Sequence, residues 1–167
     1  MEISDRKTLP HEIPMWVDPQ KEIYFVTINC HERLRNQLAL PEVAPRIFET
    51  VRHRQEKLLW WPHLFLLMPD HAHALLSFPP SGNRMQLVIS KWKEWVAKEV
   101  GISWQRDFFE HRLRHDENRR EKADYILQNP VRKKLVAQTE QWPFVYFGDG
   151  QRPNFYGGDG ALRRHRA

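Results

Sequence analysis

The order of structural signals along this 167-residue chain predicts an α+β fold: a ferredoxin-like antiparallel sheet with helices on one face and an added C-terminal helix that bears a tyrosine. Three observations predict it. Strand, helix, strand, strand, helix and strand signals follow one another in the order of the split βαβ unit. Two apolar runs between Leu58 and Phe78 are broken by Pro69-Asp70, which marks an antiparallel hairpin. A further, strongly charged helical segment follows the last strand.

Residues 1–20, with Pro10, Pro14 and Pro19 among charges, read as an N-terminal arm on a domain spanning 21–147. Ile23 to Ile28 is β-branched and aromatic, as a buried strand requires. From Pro41 to Leu58, Val43, Ile47, Val51 and Leu58 recur at helical spacing with Arg46, Arg52, Arg54 and Lys57 between them, and Pro41 suits a first helical turn. The stripe Met85, Leu87, Val88, Trp92, Trp95 and Val96, with Lys91, Lys93 and Lys98 opposite, predicts a second basic amphipathic helix over Arg84 to Val100. Ser103 to Leu113 reads as loop followed by a fourth strand. Asp116 to Gln128 reads as a helix capped by Asp116 or Asn118, and it should stop at Asn129 because the residue before a proline avoids the α region. Beyond a short Val131 to Val136 segment the chain is loop-rich, and 148–167, ending in Arg163, Arg164 and Arg166, reads as a flexible basic tail.

Lys and Arg number 26 against 21 Asp and Glu, a net charge of +5 with a pI near 9.5, which favours a polyanionic partner. The length suits one buried core. The single cysteine, Cys30, excludes an internal disulfide framework and fits a reducing compartment. With no stretch of membrane-span length and no apolar leader, the expectation is a soluble cytoplasmic protein without a membrane partner.

The chemistry concentrates in two places. His71-Ala72-His73 opens the second strand of the hairpin, and residues two apart on a strand share a face, so both imidazoles can reach one metal ion. Their face continues to Leu75 and Ser77, whereas Ala72, Ala74, Leu76 and Phe78 form the apolar face, which turns the histidines away from the main core. Tyr125 and Asn129 lie four apart on a helix and share a face. Two imidazoles with an amide oxygen suit Mn, Zn, Co or Ni, and ligand type favours Mn over Mg. A phenol, with a pKa near ~10, is a poor nucleophile at neutral pH. It needs a partner that makes phosphorus more electrophilic, a recognised role of a single metal ion.

Three segments together, Met68 to His73, Trp104 to Arg114 and Tyr125 to Arg132, resemble the HUH single-tyrosine transposases, and within them the REP-associated branch. The resemblance runs from about Ile23 to Trp142. It implies a metal-dependent DNA transposase or endonuclease that cleaves and rejoins single-stranded or hairpin-bearing DNA, such as REP-like palindromes, through a covalent 5′-phosphotyrosine. By motif position Tyr125 is the nucleophile, and His71 and His73 hold the divalent ion (Mn or Mg). Asn129 is the third ligand, where insertion-sequence relatives carry glutamine. Arg132, Lys133 and Lys134 are candidates for holding DNA phosphates. Glu110, His111 and Arg114 lie in the second motif but read as a solvated strand end. The resemblance allows a monomer or a homodimer. Two rivals remain, a non-catalytic nucleic-acid-binding module on the same sheet and a hydrolase whose histidine-held metal activates water.

Overall fold

The computed structural model describes residues 14, 16, 22–80, 84–113 and 116–150. In chain order these form β1 (Ile23–Asn29), α1 (Ala44–Glu56), β2 (Trp61–Leu67), β3 (His71–Ser77), α2 (Arg84–Val100), β4 (Phe109–Leu113), α3 (Asp116–Arg132), a 3-10 turn (Thr139–Gln141) and β5 (Val145–Tyr146). The strands make one antiparallel sheet in the order β4-β1-β3-β2-β5. The first four strands carry the ferredoxin-like order, and β5 lengthens the sheet beyond β2. Most of the proposed arm and of the basic tail, together with Arg114 and the Asp116 side chain, lie outside the described residues.

Alternation of side chains divides the sheet into two faces. Ala72, Ala74 and Leu76 of β3 join Val26, Ile28, Phe65 and Leu67 beneath α1 and α2, where Trp60, Trp92 and Phe65 pack ring against ring. Leu75 instead joins Ile23, Phe25, Leu64, Leu66 and Met68 on the opposite face, covered by Ala123, Ile126 and Leu127 of α3. Every residue of β3 is consequently buried. The histidine face does turn away from the main core, but it meets a second core beneath α3.

Three local expectations are corrected. First, α3 does not stop at Asn129 but runs through Pro130 to Arg132. A proline forfeits one helical hydrogen bond and crowds the preceding turn. Here it falls in the last turn and its ring is buried. The end is closed in Schellman fashion, the Leu135 N–H donating to the Pro130 carbonyl and the Lys134 N–H to that of Val131, both at 2.9 Å. Lys134 takes the left-handed φ of 59° that this closure needs, so its backbone has a structural task whatever its side chain does. Second, α1 starts at Ala44 with Pro45 in its first turn, leaving Pro41 in the preceding loop. Third, Lys93 is not on the solvated side of α2. Its ammonium donates to the Gln105 and Arg106 carbonyls at 2.8 Å each and fixes the approach to β4, and burial lowers its pKa.

Ile126 is fully buried where α3 meets the sheet. Ile126→Ala should cost about 2–4 kcal/mol by the usual penalty for a large-to-small core change. Urea denaturation measures this. A loss under ~1 kcal/mol would mean that α3 is not held by this contact.

Candidate active site

The histidines are placed by the turn that precedes them. The hairpin closes through Met68 N–H to the His71 carbonyl, and Cys30 N–H to the Asp70 carbonyl ties that turn to the end of β1, both at 2.8 Å. Asp70, read from sequence only as part of a turn signal, is buried and does more. Its Oδ1 accepts from His71 Nδ1 at 2.8 Å, and its Oδ2 accepts from the Leu34 N–H at 2.8 Å and lies 3.2 Å from Arg33 Nε. Burial alone would raise its pKa, but the hydrogen bonds from His71 and Leu34 and the Arg33 charge outweigh it, so the carboxyl sits below its ordinary value. Arg33 is itself held by the Asn29 side chain.

Because the carboxylate accepts the hydrogen bond of Nδ1–H, His71 turns a bare Nε2 lone pair inward. His73 lies opposite Thr27 on β1, with Nδ1 2.9 Å from the threonine Oγ1. The two Nε2 atoms face each other at 3.1 Å. A hydroxyl can donate or accept. When Thr27 donates, His73 keeps its proton on Nε2 and bridges to His71. When Thr27 accepts, two lone pairs converge and require a cation between them. Nitrogen-to-metal bonds of about 2.1 Å meeting near right or tetrahedral angles separate two ligand nitrogens by about 3.0–3.4 Å, so the pair fits such an ion as it stands. Orientation of a metal-binding histidine by a carboxylate is the usual outer-layer arrangement of metal sites.

Asn129, on the inner face of α3, places its amide 3.4 Å from His71 Nε2 and is buried. Turning the amide over presents its oxygen to the same point. Among the described residues no group of three or more His, Cys, Asp or Glu converges, so the available donor set is two imidazoles and one amide. Tyr125 lies one turn earlier on α3. Its ring is 6.0 Å from that of His73 and 6.2 Å from that of Phe25, and the residue is 46% exposed. Arg132 lies with Cζ 4.3 Å from the Tyr125 ring centroid and donates to the Tyr125 carbonyl at 2.7 Å. Lys122 Nζ lies 5.6 Å from the same ring.

The structure thus brings His71, His73, Asn129, Tyr125 and Arg132 to one end of the sheet. Lys133 is exposed nearby, and its charge contributes to the field at His71. Lys134 is exposed at the helix terminus. Sequence reasoning missed Asp70, Thr27, Arg33, Phe25 and Lys122. Two of these left a signal, since Lys122 lies one helical turn before Tyr125 and Asp70 adjoins a candidate metal-binding histidine.

No family model matches the chain. A REP-associated tyrosine transposase of Escherichia coli (strain K12) is 29% identical over 133 residues, covering 74% of this chain and 75% of the relative. A Haemophilus influenzae relative of the same family description is 25% identical over 153 residues, covering 80% of this chain and 84% of its own. The solved structure of a REP-associated tyrosine transposase bound to a REP hairpin shares the fold with a TM-score of 0.60, at 21% identity over 80% of each chain. The chain is thus similar to REP-associated tyrosine transposases in sequence and shares the fold of one of them. Among its described residues no helix is long and apolar enough to cross a membrane.

The charge state of the histidines decides whether they can hold a cation. Desolvation, followed by the His71 interaction and the Arg132, Arg33 and Lys122 charges, pushes the His73 pKa down to about 3. Desolvation also lowers that of His71, although Asp70 opposes the shift. Both imidazoles are neutral at pH 7, as lone-pair donors must be. The unfolded chain takes up protons on them from about pH 6.5 downward while the folded chain does not. Stability should therefore fall as pH drops from 6.5 toward 3. In the metal-free protein the ring-proton NMR shifts of His73 should stay flat from pH 8 to 5. A sigmoid centred near 6.5 would contradict the burial described here.

Proposed function

We propose that the chain cleaves and rejoins single-stranded or hairpin-bearing DNA, with Tyr125 as nucleophile and His71, His73 and Asn129 holding a divalent ion. The observation that carries this reading is the meeting of two converging imidazole nitrogens with an exposed tyrosine on an adjacent helix, under a rim of cations. Similarity to REP-associated tyrosine transposases supports the reaction class, and the relative solved with a REP hairpin supports the kind of DNA. A bound ion would polarise a non-bridging phosphoryl oxygen and orient the ester for in-line attack.

This chain's own residues supply the rest. The neutral histidines are fixed by Asp70 and Thr27. Tyr125 Oη forms the new bond to phosphorus as the bond from phosphorus to the 3′ oxygen breaks. The phenolic proton passes to solvent and the departing 3′ oxygen takes one up. A 5′-phosphotyrosine and a free 3′-hydroxyl result, and attack by a 3′-hydroxyl on the phosphotyrosine reverses the exchange without water or a nucleotide cofactor. Arg132 and Lys122 lie where a phosphate bound beside Tyr125 is neutralised.

The test is incubation with labelled hairpin-bearing single-stranded DNA and Mn or Mg. Wild type should give a denaturation-resistant protein-DNA adduct that chelator prevents and Tyr125→Phe abolishes. Metal-dependent cleavage persisting in Tyr125→Phe would assign the site to a hydrolase, and equal binding without any adduct would assign it to a binding module. Asp70→Asn should weaken Mn binding about 10- to 100-fold by calorimetry, as loss of an orienting partner typically does. Unchanged affinity would remove Asp70 from the metal site.

A further inference from the structure

Beside the proposed nucleophile lies a row of rings that its chemistry does not use. By register Phe109 of β4 pairs with Thr27, whose hydroxyl meets His73, so Phe109 projects from the same sheet face as the histidines. Its neighbour Phe108 turns to the other side, packs against the main core, and has the Lys93 ammonium over its ring at 5.8 Å. Phe109 is instead 57% exposed. It meets the edge of Phe25 at 6.2 Å, and Phe25 in turn stacks on His73 at 5.5 Å and meets Tyr125 edge-on at 6.2 Å. Lys122 reaches over from α3, its ammonium 5.0 Å from the Phe25 ring and 5.6 Å from that of Tyr125.

Phe25, at 6% exposure, is the buried foundation of this row, and Phe109 is its open end. An apolar ring left to solvent at a sheet edge gains little for the free protein. Beside a phosphate-binding centre, flanked by an ammonium group, it matches a nucleotide: a flat base for the ring and a phosphate for the cation. Charge selects this occupant over a basic or purely apolar partner.

We propose that Phe109, supported by Phe25 and flanked by Lys122, is a stacking platform for a nucleobase neighbouring the phosphodiester that Tyr125 attacks. The platform rests on the reading of Tyr125 as nucleophile. It is a binding element rather than a catalytic one, so its loss weakens capture of DNA and leaves the rate at saturation nearly intact.

The experiment uses the full chain carrying Tyr125→Phe, which holds DNA without reacting. It is titrated with a pool of hairpin-bearing single-stranded oligonucleotides that carry 2-aminopurine at each unpaired position in turn. Fluorescence should be quenched at one position. Phe109→Ala and Phe109→Leu should abolish that quench and raise the apparent Kd about ten-fold, in the range expected for one base-aromatic stack, whereas Phe109→Trp should retain both. In chains with Tyr125 intact, Phe109→Leu should lower adduct yield at limiting DNA and recover it at saturating DNA. A quench that survives Phe109→Leu with unchanged affinity overturns the platform, and if the wild type still forms its adduct, the reading of Tyr125 stands. If no adduct forms but the quench depends on Phe109, base stacking on Phe109 stands, whereas the covalent reading falls and with it the platform's place beside an attacked phosphodiester. Should Phe109→Leu instead convert a dimer to a monomer in sedimentation with the quench untouched, the ring belongs to a contact between copies of the chain, which also overturns the proposal.

Discussion

The docking of α3 across the second face of the sheet is the constraint on which the site depends. Ala123, Ile126 and Leu127 close over Leu64, Leu66 and Leu75, and each large side chain fully buried there is worth about 1.5–3 kcal/mol. That apolar contact pays for an otherwise unfavourable step, the removal of two imidazoles and an asparagine amide from water. The same contact fixes the helix's rotation. With Ile126 and Leu127 inward, Asn129 faces His71 and Tyr125 stands at the margin, half open to solvent.

Burial of polar groups is tolerable because they are paired in series. Leu34 N–H and Arg33 hold Asp70, Asp70 holds His71, His71 meets His73 and Asn129, and Thr27 holds His73. The series begins in the loop after β1 and crosses to α3, so three separate segments must be in place before the imidazoles converge. Burial keeps the bases neutral although Asp70 opposes it at His71, and Arg33, Arg132, Lys122 and Lys133 supply the positive field around them. Neutral donors within a cationic rim are suited to receiving a metal ion together with the phosphate it would polarise.

Much of this was legible from sequence for reasons that can be named. Strand and helix order followed from periodicity, and the common face of His71 and His73 from alternation along one strand. The shared face of Tyr125 and Asn129 followed from helical spacing. What failed depended on tertiary contacts. The second core on the histidine face of β3 went unread because α3, charged along most of its length, hides a narrow apolar stripe. The end of α3 was misplaced because local sterics at Pro130 were weighed without the burial of its ring and the Schellman closure beyond it. Asp70 was taken for turn chemistry, since only the fold shows that its carboxylate meets His71. β5 is two residues long and is defined by its pairing with Phe65 and Leu66 rather than by pattern.

The central claim is that one tyrosine among four becomes joined to DNA. The most direct measurement is mass spectrometry of the protein-DNA adduct after nuclease and trypsin digestion, since cleavage after Lys122 and Arg132 isolates Tyr125 on the peptide 123–132. The account predicts a nucleotide mass on that peptide, with fragmentation placing it on Tyr125. The same mass on Tyr24, Tyr146 or Tyr156, or on no tyrosine, would contradict it.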